Sequence, residues 1–218
     1  MRLPPPAALV ALGIVCAGCA GAPESAPSAD PTVPDLTVEP ARIDRARHAL
    51  PPGYEVAPYT GAPTPLAVWG LAGPVEAQPV QCVELAAPPV RPDSAQGWSA
   101  SGPGGIVYAV VAAAAPAAPV EAAACQLWTA TAGHTSATVR DLPAPALEAA
   151  HTVGMATAAT TVVEGGTETR ADADTFVAHL GQFVCFVALV TDPGSAYPRL
   201  DAAFAADLLV ETVSALRS

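Results

Sequence analysis

The stretch Phe183-Val184-Cys185-Phe186-Val187-Ala188-Leu189-Val190-Thr191 is apolar at odd and even positions alike until its last residue. Successive side chains of a strand point to opposite faces, so a strand of this composition is stable only where both faces are covered. It predicts a central strand lying under helices or other packed layers. The residues that follow supply one cover, because from about Leu200 the positions Phe204, Leu208, Val213 and Leu216 fall on one side of a helix. Upstream, Gly165-Gly166 joins residues 152–164 to residues 167–171, and a two-residue Gly-Gly link between such runs is a hairpin signal. Thr135, Ala137 and Val139 alternate with polar neighbours as a half-buried strand does. Residues 106–111 form a β-branched run after the turn at residues 102–105, which predicts another buried strand.

Further toward the N-terminus, Ile43, Ala46 and Leu50 sit at helical spacing among Arg42, Asp44, Arg45, Arg47 and His48, and Pro51-Pro52-Gly53 ends that short amphipathic helix. Residues 54–57 alternate as a short strand, and residues 63–74 form a loop carrying Leu66, Val68, Trp69 and Leu71. A second helix starts near Pro79, with Val80, Val83 and Leu85 inward and Cys82 beside them, and stops at Pro88-Pro89. Residues 119–128 read as a third helix, opened by Pro119 and Glu121 and rich in Ala. Residues 142–147 are broken by Pro. The resulting order is helix, strand, helix, strand, helix, a run of strands, helix. That is an α+β fold, a mostly antiparallel sheet with helices packed on it.

The chain has 218 residues, enough for one domain with its own core. It carries 9 basic residues, all Arg, against 20 acidic ones, which excludes a nucleic-acid binder because phosphate neutralisation needs clustered basic side chains. The N-terminus has the layout of a secretory signal: Met1-Arg2, an apolar run over residues 7–18, then small and acidic residues. That run is too short to span a bilayer. It ends Val15-Cys16-Ala17-Gly18-Cys19, which resembles the bacterial lipoprotein cleavage box, so residues 1–18 are expected to be a lipoprotein signal peptide and Cys19 the lipidated first residue. Cys16 stands where that box usually has Leu, and a plain secretory signal is the alternative. Residues 19–40, rich in Pro, Ala, Ser, Thr and acids, bury too little to offset ordering entropy and are expected to be a disordered tether. The folded domain is residues 41–218. The expected location is the cell membrane, on its extracytoplasmic face, through the N-terminal lipid.

Three segments carry a resemblance: residues 49–56 (Ala-Leu-Pro-Pro-Gly-Tyr-Glu-Val), residues 79–82 (Pro-Val-Gln-Cys) and residues 102–108 (Gly-Pro-Gly-Gly-Ile-Val-Tyr). They are similar to a group of mycobacterial lipoproteins of unknown function, which in turn resemble the extracellular sensor domain of the mycobacterial kinase PknH. Cys82 after a Pro, Cys125 with Trp128 before a strand, and Cys185 on a late buried strand match the shared elements, although the sensor domain has its Trp before the Cys. The resemblance covers roughly residues 41–216. It implies an α/β domain with a ligand-binding cleft and brings no catalytic residues with it.

An exported chain meets an oxidising compartment, and once Cys19 is used, Cys82, Cys125 and Cys185 remain. One internal disulfide leaves one thiol. Cys82–Cys125 is the expected pair, with Cys185 a free buried thiol acting as a small hydrophobe. Cys125–Cys185 is the alternative. No Cys-x-x-Cys motif is present, so a structural staple is expected rather than a redox centre.

No nucleotide loop, zinc-protease helix or nucleophile elbow is present. Residues 97–101 (Gly-Trp-Ser-Ala-Ser) come nearest to the last and lack its closing Gly. The protein is expected not to be an enzyme and to hold no cofactor or metal. His134, His151 and His179 have no paired spacing. Asp172 and Asp174, with Glu164 and Glu168, read as an acidic, solvated hairpin end, short of the ligand set a calcium loop needs. Trp69, Trp98 and Trp128 read as core rather than cleft lining. The expected function is a lipid-anchored, sensor-like module that binds an unidentified small molecule or lipid. The alternative is a structural lipoprotein that meets an envelope protein partner.

Overall fold

In the computed structural model, residues 36–115, 120, 122–192 and 195–218 are described. The expected signal peptide, Cys19 and most of the tether lie outside them, as do Pro119 and Glu121. The strands are β1 (Glu55–Pro58), β2 (Glu76–Gln78), β3 (Gln96–Gly102), β4 (Gly105–Ala113), β5 (Leu127–Ala132), β6 (Thr135–Leu142), β7 (His151–Val162), β8 (Glu168–Leu180) and β9 (Phe183–Val190). The α-helices are α1 (Pro65–Val68) and α2 (Ala202–Arg217), and 3-10 helices occupy Pro40–Ala49, Val80–Leu85, Pro92–Ser94 and Ala122–Cys125. The strands form one sheet in the order β1-β3-β4-β9-β8-β7-β6-β5-β2. Every pairing is antiparallel. This is the expected α+β class.

Strand β9 lies between β4 and β8, and its two sets of side chains enter different cores. Cys185, Val187 and Leu189 join α2, the Pro40–Ala49 helix and Trp98 on one face. Val184, Phe186, Ala188 and Val190 join Leu66, Trp69, Leu71, Leu85 and Trp128 on the other. The face under α2 is called the helix face here. The opposite one, covered by α1 and the short 3-10 helices, is the loop face. Asp201 caps α2 by accepting a hydrogen bond from the Phe204 backbone N–H at 2.9 Å.

Several local expectations change. The Pro40–Ala49 helix is 3-10 rather than α, and its buried Ile43 and Ala46 are three residues apart, as that tighter winding requires. The loop over residues 63–74 contains α1, whose Leu66 is buried. Val80 was expected to face inward but is 72% exposed, because the tight Val80–Leu85 turn buries only Cys82 and Leu85. No helix runs through to residue 128: the Ala-rich helix ends at Cys125, and Trp128 is on β5, where burial alternates strictly. Strands β2, β3 and β5 were not anticipated. In β3, Gly97 faces β4 so closely that a Cβ would sit 2.3 Å from the Ala109 carbonyl oxygen. The β3–β4 turn places Gly104 at φ +99°, a region that disfavours other residues.

Cys82 and Cys125 are joined in a disulfide across 43 residues, and Cys185 is the free buried thiol. Of the two pairings open from sequence, this is the one present. Burial pushes the Cys185 thiol up to about 12, so it stays protonated.

Candidate functional site

Helix α2 covers the β9 and β8 part of the helix face, the Pro40–Ala49 helix covers β3 and β4, and the outer part of β7, β6 and β5 is left uncovered. There the register builds transverse rows of side chains. One row runs Arg140, Ala156, Asp174 and the next Thr138, Ala158, Asp172, each across β6, β7 and β8. The middle members are alanines, so β7 forms a low floor between a β6 wall bearing Arg140 and Thr138 and a β8 wall bearing Asp172 and Asp174. Arg199, two residues before the α2 cap, closes one end. The resulting cleft has a volume of about 190 Å³. That is below the roughly 300–1,000 Å³ of pockets that enclose whole small molecules, so it suits a polar head group whose remainder lies outside.

The four charges are not equivalent. Arg199 forms an ion pair with Asp174, whose side chain is only 10% exposed. A carboxylate this buried needs a partner. Arg140 and Asp172 are both exposed, and among the described residues neither side chain makes an ion pair or hydrogen bond. Asp172 is held through its backbone instead, its N–H donating to Thr191 Oγ1 at 2.8 Å. The cleft therefore offers a free guanidinium on one wall and a free carboxylate on the other. They stand on adjacent rows, two strand spacings across the sheet and two residues apart along it, so their backbones are roughly 12 Å apart. This pattern complements a head group carrying both signs of charge.

Asp172 and Asp174 were expected at an acidic hairpin end with Glu164 and Glu168. They lie instead well inside β8, which runs on to Leu180, and the hairpin tip keeps only the two glutamates. Among the described residues no group of three or more His, Cys, Asp or Glu is placed to hold a metal. Sequence reasoning missed Arg140, Thr138 and Arg199. The available signal was that Arg140 falls on the polar side of the alternation set by Thr135, Ala137 and Val139.

The three tryptophans are core residues and stand away from this cleft. Trp69 Nε1 donates to Thr175 Oγ1 at 3.0 Å, and Trp98 Nε1 donates to the Ile43 carbonyl at 3.2 Å. His134 is in the β5–β6 turn, apart from the other two. His151 and His179 are directly opposed across β7 and β8, with ring centroids 5.7 Å apart. Burial holds the His179 imidazole below the ordinary histidine range, and the adjacent His151 pushes it the same way. The unfolded chain thus takes up this proton at higher pH than the folded one. In the window from about 6.5 down to the lower folded value, stability falls as pH falls, and above the window the contribution is complete. Urea midpoints are expected to decline through that window, and His179→Gln is expected to remove part of the decline. Equal declines in both proteins would contradict this assignment.

A family model matches residues 39–217, the whole folded region. The chain belongs to the DUF5642 family, a domain of unknown function. Its fold recurs in the X-ray structure of an uncharacterized protein from Mycobacterium smegmatis, the Rv0999 ortholog, with a TM-score of 0.61 and 19% sequence identity. The match covers 85% of this chain and 100% of that one. At such identity the likeness is one of fold alone. No curated protein matches the chain.

Proposed function

We propose that this DUF5642 protein is a cell-envelope lipoprotein, anchored through acylated Cys19, whose domain binds the polar head of a small molecule or lipid without transforming it. The observation that carries the reading is the Ala-floored cleft with Arg140 free on one wall and Asp172 free on the other. A guanidinium recognises a carboxylate or phosphate through paired donors, and a carboxylate takes an ammonium group. The ligand class is therefore a zwitterionic head group. Asp174 is engaged by Arg199, which leaves Arg140 and Asp172 as the charges available to position a ligand. The similarity of the Cys82, Cys125 and Cys185 segments to a kinase sensor domain supports a receptive role of the same kind.

Titration of the full-length protein with phosphoethanolamine, followed by backbone amide shifts, tests the cleft. Saturable shifts confined to Thr138, Ala158 and Asp172 and lost in Arg140→Ala are expected. Unchanged spectra, or shifts that persist in Arg140→Ala, would count against it. The anchor is tested separately. Among the described residues no helix is long and apolar enough to cross a membrane, and several acyl chains bury methylenes worth about 0.8 kcal/mol each. Cys19→Ala is expected to move the protein from the membrane to the soluble fraction, and firm retention of that variant would sink the lipoprotein assignment.

A second reading, a lipoprotein that meets an envelope protein partner, is favoured by one feature. Val80 is 72% and Leu127 60% exposed, each two residues from a cysteine of the disulfide, so two large apolar side chains flank one fixed point on the surface.

A further inference from the structure

We propose that the opposed pair His151 and His179 is a binding site for a divalent late transition-metal ion such as zinc or copper, held by the two imidazoles with water completing its shell. The site is separate from the cleft, since it lies on the loop face at the other end of β7 and β8. His151 pairs directly with His179 in the strand register, so both side chains leave the sheet on the same side. Their ring centroids are 5.7 Å apart at a mutual tilt of 48°. Metal–nitrogen bonds are about 2.0–2.1 Å, so an ion between rings at this separation is within reach of a nitrogen on each.

The frame is stiff. Strands β7 and β8 stay in register from the His151–His179 pair to the Val162–Glu168 pair. The next pair on the same face, Val153 with Val177, is buried in the core. The two rings thus stand at the margin of the core, His179 partly covered and His151 open to solvent. Neither imidazole makes a hydrogen bond or ion pair to a described residue, with the one exception that they contact each other. Their acceptor nitrogens are therefore not committed elsewhere.

The donor set also selects the metal. Imidazole nitrogen suits zinc, copper and nickel, whereas calcium and magnesium require several oxygen ligands. Among the described residues no third His, Cys, Asp or Glu joins the pair, so water fills the remaining positions and the ion stays exchangeable.

The test is calorimetric titration of the untagged full-length protein with zinc at neutral pH, with calcium as the comparison ion. One zinc per chain and no calcium are expected. A second ligand on the same frame acts intramolecularly and adds about 10²-fold or more in affinity. His151→Ala and His179→Gln should each weaken zinc binding by that factor, while His134→Ala leaves it unchanged. His151 is exposed, so its replacement by Ala leaves the fold intact and is decisive by itself. In the wild-type protein the imidazole resonances of His151 and His179 should shift together on adding zinc. Absence of saturable zinc binding, or binding that survives His151→Ala, would overturn the proposal.

Discussion

Replacing Cys82 and Cys125 together by Ala is expected to lower the free energy of unfolding by about 4 kcal/mol, the chain-entropy value for a cross-link spanning 43 residues. The reason is local as well as statistical. The disulfide joins the Val80–Leu85 and Ala122–Cys125 helices, the two short turns that cover the β2–β5 edge of the loop face. Strand β2 has only three residues, paired with β5 alone, and an edge strand of that length has little stability of its own. Without the bridge, this edge should open before the rest of the sheet. Urea unfolding of the double variant checks the magnitude, and amide exchange along β2 and β5 checks the place. A midpoint equal to that of the wild type, or protection lost evenly over the sheet, would contradict the account.

Trp98→Ala is expected to cost about 3–5 kcal/mol, the range for truncating a fully buried large aromatic. Trp98 is 0% exposed and stands on β3 in register with Ala109 on β4, under the Pro40–Ala49 helix. Its indole N–H donates to the Ile43 carbonyl, so the one side chain both fills the helix face and ties the first helix to the sheet. Trp98→Phe separates these roles. It keeps most of the apolar bulk and loses the hydrogen bond, at about 0.5–1.5 kcal/mol. Denaturant midpoints of the two variants should therefore differ by a clear margin. Equal losses would mean that the indole matters only through its hydrogen bond.

The parts of this fold that were legible in the sequence are those where burial is extreme. Strand β9 is apolar on both faces because both are covered, and no other arrangement satisfies that pattern. The Gly165-Gly166 turn and the C-terminal helix carry equally direct signals. Strand β3 was hidden by its own composition: Gly97, Ser99, Ala100 and Ser101 have low β propensity, although Trp98 and Ala100 do alternate inward. Gly97 is there because β4 approaches closely, a tertiary demand that local propensity does not report. Strand β5 was obscured by the run Ala122-Ala123-Ala124, whose helix preference suggested continuation past Cys125 when the chain in fact turns into a strand at Leu127.

The candidate site was less legible than the fold. Arg140, Asp172 and Arg199 belong to β6, β8 and the segment before α2, and only the strand register brings them around one floor of alanines. A shift of one residue in any of those pairings would turn the charges to the loop face. Sequence alone does not fix that register. The two histidines show the same limit: His151 and His179 are 28 positions apart in the chain, without motif spacing, yet directly opposed in the sheet.

The most direct test of a binding role for the cleft is native mass spectrometry of the full-length protein, isolated from its own membranes, beside Arg140→Ala prepared identically. The account predicts a bound species of defined mass on the wild-type protein, beyond the covalent lipid, that is absent from Arg140→Ala. A wild-type protein that carries no such species, or an Arg140→Ala protein that carries it equally, would contradict it.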